Sequence, residues 1–197
     1  MVSILPIVEG QSEVSSVPIF LRRIGDAMGA FQTQIARPFR VKRDKIVKEG
    51  ELEKAINYGV RNRENIGAIL ILLDADDDCP ALLGAKLKNR GEQVTDLPLA
   101  VVIANKELEG WFLGGKESLR GIRSIRQDAS PPPDPEGIRG AKERLTKNMH
   151  PGARYIEVDD QPAFAANLDF DLTKTRCPSF DKFLREAETL FSCLRCH

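Results

Sequence analysis

Hydrophobic residues fall along the first half of this chain in short unbroken runs, separated by segments of helical spacing. The longest run is GAILILLD at residues 67–74, where no charge appears until the last position. A strand with one wet face would alternate apolar and polar residues. A continuous Ile/Leu run belongs instead to a strand buried on both faces, as in the middle of a parallel sheet covered by helices. Residues 3–8 (SILPIV) and 97–104 (LPLAVVIA) have the same character. Residues 35–41 (IARPFRV) read as a further strand, placed at an edge because Pro38 cannot donate to a ladder. Between these runs, Val14, Val17, Phe20, Leu21 and Ile24 recur at helical spacing behind Ser12, a candidate N-cap. Residues 42–48 form a basic loop. A second helix covers residues 51–63 with Leu52, Ala55, Ile56 and Tyr58 as its contacts, and a third covers 80–89 and ends near Gly91. The order βαβαβαβ with short connections specifies a parallel sheet with right-handed crossovers. The expected fold is therefore α/β, with four parallel strands and the third strand central, beside the first.

After residue 104 the pattern changes. Residues 106–113 (KELEGWFL) predict a short helix carrying Glu107, Glu109 and the only tryptophan. Residues 120–144 are polar, basic and interrupted by Pro131, Pro132, Pro133 and Pro135, which predicts a loop leading into a helix at about 136–148. A last strand is expected at 155–158 and a short helix at 163–168. In residues 180–194, Phe180, Phe183, Leu184, Ala187, Leu190, Phe191 and Leu194 line one face of an amphipathic helix. The division expected is an α/β core over residues 1–105 and a helical C-terminal elaboration over 106–197, packed together as one domain.

Composition narrows the function classes. The 29 basic and 29 acidic residues cancel, so any contact with nucleic acid must be a local patch and not a global field. No apolar run approaches a membrane span, and the amino terminus lacks a basic leader region. Four cysteines without an export signal predict reduced thiols and a cytoplasmic protein.

The candidate chemistry sits where strands end. Asp74, Asp76, Asp77 and Asp78 crowd the end of the longest apolar run, and like charges this close repel unless something cationic sits among them. In an open α/β sheet, ligands bind just outside the carboxyl ends of the strands. Asp74 and Asp76, two apart on an extended end, would point to one side and are the better metal ligands. Asp78 reads as the N-cap of the next helix. The plainer alternative is an Asp-rich turn with no ligand. Glu9 follows the first strand and Glu107 and Glu109 follow the fourth. With the first and third strands as neighbours, Glu9 would face Asp74 and Asp76 across one crevice, serving as a general acid or base. Gly10 would let a phosphate approach the backbone. Carboxylates of this kind suit Mg2+ or Mn2+.

A strand ending in Glu9-Gly10, a helix, and a later apolar strand ending in Asp74-Ala75-Asp76 resemble the TOPRIM domain shared by topoisomerases, primases and OLD-type nucleases. The start VEGQSE, the segment ELEGW at 107–111 and the stretch CPSFDKFLREAE resemble more narrowly a TOPRIM-like family of about 200 residues, often discussed beside ATPases in prokaryotic defence. The resemblance implies a three-layer Rossmann-like fold, with Glu9 as acid/base or metal ligand. It implies magnesium at Asp74 and Asp76, and Glu109 supporting a second ion. Two ions about 4 Å apart would clamp the attacking and leaving oxygens of a phosphodiester. Lys106 or Lys116 would stabilise transition-state charge, unless either is simply solvated surface. Neither Tyr58 nor Tyr155 stands where topoisomerase chemistry needs a tyrosine, so strand passage is not expected. The function expected is thus a metal-dependent nuclease or phosphodiesterase on DNA or RNA, with an ATPase partner and a homodimer among its possible assemblies. The alternative is a non-catalytic module binding a nucleotide or partner through the same crevice.

Two basic groups, Arg37, Arg40, Lys42, Arg43, Lys45 and Lys48, and then Arg120, Arg123, Arg126, Arg139, Lys142, Arg144 and Lys147, are candidate phosphate-backbone contacts or solvated faces. Cys193-Leu194-Arg195-Cys196-His197 matches a haem c attachment motif, and with Cys177 it could supply zinc ligands. A packing helix without an export signal favours neither, and a frayed helix end is the expectation.

Overall fold

The computed structural model describes residues 1–195. In chain order the elements are β1 (Ser3–Val8), α1 (Glu13–Ala27), β2 (Gln34–Ile35), β3 (Phe39–Arg40), α2 (Arg43–Ile46), α3 (Glu51–Arg61), β4 (Ile66–Asp74), α4 (Pro80–Glu92) and β5 (Leu99–Ala104). Then come α5 (Glu109–Gly114), short 3-10 turns at 116–119 and 122–124, α6 (Ala141–Lys147), α7 (Glu157–Asn167), α8 (Phe170–Arg176) and α9 (Pro178–Arg195). The strands form one parallel sheet in the order β2-β1-β4-β5, with β3 also pairing β1. β4 is central and lies beside β1, with Leu5 opposite Ile69 and Val8 opposite Leu72.

The unbroken apolar runs are explained by two cores, one per sheet face. Ile4, Val8, Ala68, Leu70, Leu72, Ala100 and Val102 join Phe20 and Leu21 of α1, Trp111 and Phe112 of α5 and Phe183 and Phe191 of α9. The alternate set, Leu5, Ile7, Ile69, Ile71, Leu73, Val101 and Ile103, meets Leu52 and Ile56 of α3 and Leu83 and Leu87 of α4. Successive strand side chains point to opposite faces, so both positions of each pair must be apolar. This is the three-layer helix–sheet–helix arrangement. α9 lies so close to the sheet that a Cβ on Gly67 would come within 2.7 Å of Leu194 Cδ2 and 2.2 Å of Val2 Cγ1.

The structure corrects several expectations. The sheet has five strands, not four: Pro38 divides the expected second strand into β2 and β3, each only two residues long and at the edge beside β1. Part of the basic loop at 42–48 is the helix α2. No strand exists at 155–158. Val158 lies in the first turn of α7 and is 53% exposed, so no buried sheet face awaits it. Asp160 accepts a hydrogen bond from the Ile156 amide at 2.7 Å, and the acidic first turn favours a helix start there. The helix expected from residue 136 begins only at Ala141, because Gly140 is left-handed (φ +68°). α8 occupies Phe170–Arg176, where no apolar periodicity marks a helix.

Candidate active site

The carboxyl ends of β1 and β4 lie side by side, and their registers bring Val8 level with Leu72. Glu9 therefore emerges beside Asp74 at the same sheet end. One Glu9 carboxylate oxygen, Oε2, is buried and has no hydrogen-bond partner. Burial first, then the charges of Glu13 and Asp76, push the Glu9 carboxyl up to about 7, against the opposing pull of Arg43 and a backbone hydrogen bond from Asp74.

Glu13, in the first turn of α1, is buried (6% exposed) and turns its carboxylate back toward β1. Its Oε2 accepts the Gly10 amide at 2.8 Å and the Glu9 amide at 3.1 Å. Burial raises its pKa despite those bonds. Asp74 is held from the other side, where Oδ1 accepts the Leu108 amide at 2.9 Å. Burial, followed by the charges of Glu9, Glu13 and Glu109, drives Asp74 well above the ordinary carboxylate range. Glu109 opens α5, is 2% exposed, and accepts hydrogen bonds from the Tyr155 hydroxyl (3.1 Å) and Gln161 Nε2 (3.4 Å). Burial lifts its carboxyl to about 7. Gln161 is itself oriented by the Ser16 hydroxyl, which donates to its Oε1 at 2.6 Å.

Arg43 acts on Glu9, and a second cation, Lys142, acts on Glu13 and Glu109. Lys142 on α6 pairs with Glu157 at 2.8 Å. Burial works against its charge, yet Glu109, Glu157 and Asp74 together hold the ammonium above its ordinary value. Four carboxylates from β1, α1, β4 and α5 thus share one field, with Lys142 at its border.

Asp76 departs from the expected geometry. Its φ of +51° breaks the extended end, so the two-residue alternation that would align it with Asp74 does not apply. Its side chain is 60% exposed and lies 3.4 Å from Arg43 Nε. Arg43 binds the whole turn, donating to the carbonyls of Asp74 (2.9 Å) and Ala75 (3.0 Å) and to the Asp78 carboxylate. Asp78 is consequently an Arg43 partner, and the cap of α4 is Cys79. Asp77 pairs with Arg139. Among the described residues, no three His, Cys, Asp or Glu side chains are grouped closely enough to form a ready metal cluster.

Other residues singled out from the sequence have structural duties. Glu107 accepts the amides of Gly140 (2.8 Å) and Ala141 (3.2 Å), closing the start of α6. Lys106 donates to the Gly137 carbonyl. Trp111 is fully buried and its indole N–H meets Ser179 Oγ at 2.8 Å. Lys116 is not on a solvated surface but 1% exposed. Cys177 is buried among apolar groups, while Cys196 and His197 of the haem-type motif lie outside the described residues.

Nothing in the spacing of Lys142, Tyr155 and Gln161 along the chain ties them to the crevice, which they reach only in the folded protein. For Glu13 a local signal existed: a glutamate three residues beyond Gly10, in the first helical turn, has the spacing of a capping carboxylate that reaches back to an open amide.

A family model for a domain of unknown function, DUF4276, matches residues 8–188, which takes in every side chain of this crevice. The chain belongs to that family. Among solved structures, this DUF4276 protein is similar to the C-terminal region of the OLD protein of Xanthomonas campestris pv. campestris, with a TM-score of 0.50 and 16% identity over 98% of each chain. Two more structures of the same region share 14% identity, with TM-scores of 0.49 and 0.48. At this identity the likeness is one of fold. No curated protein matches the sequence. No helix among the described residues is long and apolar enough to cross a membrane.

Proposed function

We propose that this protein is a TOPRIM-like, divalent-cation-dependent phosphodiesterase, a nuclease acting on DNA or RNA. The observation that carries the reading is the buried, partnerless Glu9 Oε2 among the mutually repelling carboxylates of Glu13, Asp74 and Glu109. Such a set is costly to hold without a counter-charge, and Lys142 and Arg43, each shared with other carboxylates, do not balance it. Hard oxygen donors in excess fit Mg2+ or Mn2+. Asp74 would hold the cation; Glu109 and Glu13 are not grouped with it as a ready site and would act mainly through their charge, and Asp76 would join only on leaving Arg43. When bound, the cation would supply Lewis-acid polarisation and charge neutralisation at the phosphoryl group.

The chain's own groups supply the remainder. Glu9 stands where a water proton could be taken up or a leaving oxygen protonated, and its carboxyl titrates near neutral pH. Gly10 makes room for the Glu13 carboxylate, since a Cβ there would sit 2.7 Å from Glu13 Oε1, and its amide would face a phosphate only if that carboxylate turned away. Lys142 would face the negative charge that develops on the phosphoryl oxygens. The fold likeness to the OLD C-terminal region agrees with this architecture, and the sequence resemblance to OLD-type nucleases is what favours nucleic acid as the substrate class.

The test is release of labelled fragments from single-stranded, double-stranded and supercoiled substrates with manganese. Glu9→Gln and Asp74→Asn are each expected to reduce turnover by about a hundred- to ten-thousandfold. Turnover unchanged in both variants would overturn the reading. Nucleotide binding without cleavage on any substrate would establish instead a non-catalytic binding module.

A further inference from the structure

β5 ends the sheet order β2-β1-β4-β5, so only one of its two edges is paired. Its register against β4 decides which backbone groups stay open. Leu99, Val101 and Ile103 stand level with Ile69, Ile71 and Leu73. The Ile69 amide donates to the Pro98 carbonyl and the Ala75 amide to the Ala104 carbonyl, both at 2.9 Å, so the even-numbered residues of this strand face β4. In a parallel ladder the residues between them turn their N–H and C=O groups to the other side. The amides and carbonyls of Val101 and Ile103 therefore have no partner among the described residues, although each residue is only 2% exposed. Buried backbone groups are rarely left so, because each unmet donor or acceptor carries its full desolvation cost. The next position along the edge is closed. The Asn105 amide donates to Ser179 Oγ at 3.2 Å, and its carbonyl accepts the Glu107 amide at 2.9 Å.

Val101 and Ile103 line a cavity of about 600 Å³ between α4 and α9. Its two walls differ. α4 contributes Ala81, Gly84 and Ala85, and Leu82 beside them is 74% exposed. α9 contributes Lys182 and Glu186, which pair with one another at 2.6 Å. We propose that this cleft is a docking site for an extended peptide segment of another protein, added to the sheet as a strand beside β5. A row of donors and acceptors at strand spacing is matched by a second extended backbone. Such a segment of about five residues would pair both open positions. Its successive side chains point to opposite faces, so the walls set its pattern. Every second side chain, apolar, would lie against Ala81 and Ala85, and the uncharged polar ones between them would meet the Lys182–Glu186 pair. A second copy of this chain does not fit. Its own β5 edge is recessed in the same way, and the flanking helices of two molecules would collide before two such edges came within the about 4.8 Å of paired strands. None of these residues belongs to the carboxylate crevice, so the site stands whether or not that crevice binds a cation.

The probe is a fluorescein-labelled peptide of nine residues, alternating leucine and serine between terminal lysines. Two further forms carry N-methyl groups, one on the leucine amides and one on the serine amides, so that each blocks a single edge of the strand. Fluorescence anisotropy should show binding of the parent peptide. One methylated form should bind about ten- to a hundredfold more weakly, with the other within about threefold of the parent. Ala85→Trp, at an exposed position with little risk to folding, should weaken the parent peptide at least about tenfold by filling the cleft. Lys54→Trp on α3 controls for an added aromatic surface. Amide exchange by NMR gives a second readout. In the free protein Val101 and Ile103 should exchange faster than Ala100 and Val102, and the peptide should slow them. No binding of the parent peptide at about 1 mM, equal binding of all three peptides, or unchanged affinity in Ala85→Trp would overturn the proposal. So would protection of the Val101 and Ile103 amides by dimerisation without peptide, which would give the edge to a second copy.

Discussion

The Glu13 carboxylate holds the Gly10 backbone amide at 2.8 Å, and through the same oxygen the Glu9 amide at 3.1 Å. A side chain of α1 thereby sets the turn that leaves β1. The orientation of Glu9 depends on a residue that itself contributes negative charge to the crevice. Structure and electrostatics are tied here: the carboxylate that fixes the turn also raises the pKa of its neighbour.

Removing that carboxylate should have two effects of different size. In Glu13→Ala, two partly buried amides lose their acceptor, and about 1–3 kcal/mol of stability should go with them. Glu13→Gln keeps one carbonyl oxygen as acceptor and should cost less. Both variants should draw the Glu9 pKa downward, because a like charge has left. Urea unfolding measures the first effect, and carboxyl NMR titration of Glu9 measures the second.

Arg43 predicts a different separation. Its guanidinium binds two carbonyls and two carboxylates of the 74–78 turn. Lysine carries the charge but not the planar fork. Arg43→Lys should therefore lower stability by about 1–2 kcal/mol and loosen the turn, with increased amide exchange at residues 75–78. Unaltered exchange there would show that the turn is held by its own backbone.

Lys116 predicts a pH effect whose sign runs against the usual expectation for a lysine. Its folded-state pKa of about 8 is below the ordinary 10.5, so between those values the unfolded chain binds more protons than the folded one. Stability from this group therefore rises as pH increases through that window and is least below it. Lys116→Met removes the term. The variant should be more stable than wild type at pH 7, with the gap closing toward pH 10. Urea unfolding at pH 7, 8.5 and 10 measures it. A gap that stays constant with pH would mean the ammonium is no worse off folded than unfolded.

The parallel sheet was legible from local pattern because burial on both faces removes the alternation that a wet face would impose. GAILILLD therefore reads as a central strand, and it does lie between β1 and β5. The seven apolar positions of residues 180–194 likewise announced their face, and Phe180, Phe183, Phe191 and Leu194 are buried on it. Short elements were less legible. Pro38 marked an edge, but whether it would end one strand or divide it depended on β1 offering partners on both sides of the break.

Periodicity along the chain was enough for the layered α/β core and for placing Glu9 and Asp74 at neighbouring strand ends, since periodicity and strand order are local and topological properties. What each charged group does there was decided by tertiary contacts. Glu107 and Glu109 are two residues apart and chemically alike. One closes α6 through amides 33 and 34 residues away, and the other is buried under Tyr155 and Gln161. Asp76 was separated from Asp74 by a single left-handed backbone angle and by an arginine from another element. Lys116 looked like solvated surface until the chain folded over it. Charge and spacing are written in the chain, but desolvation and the identity of the facing group exist only once distant segments meet, and those two quantities set the chemistry.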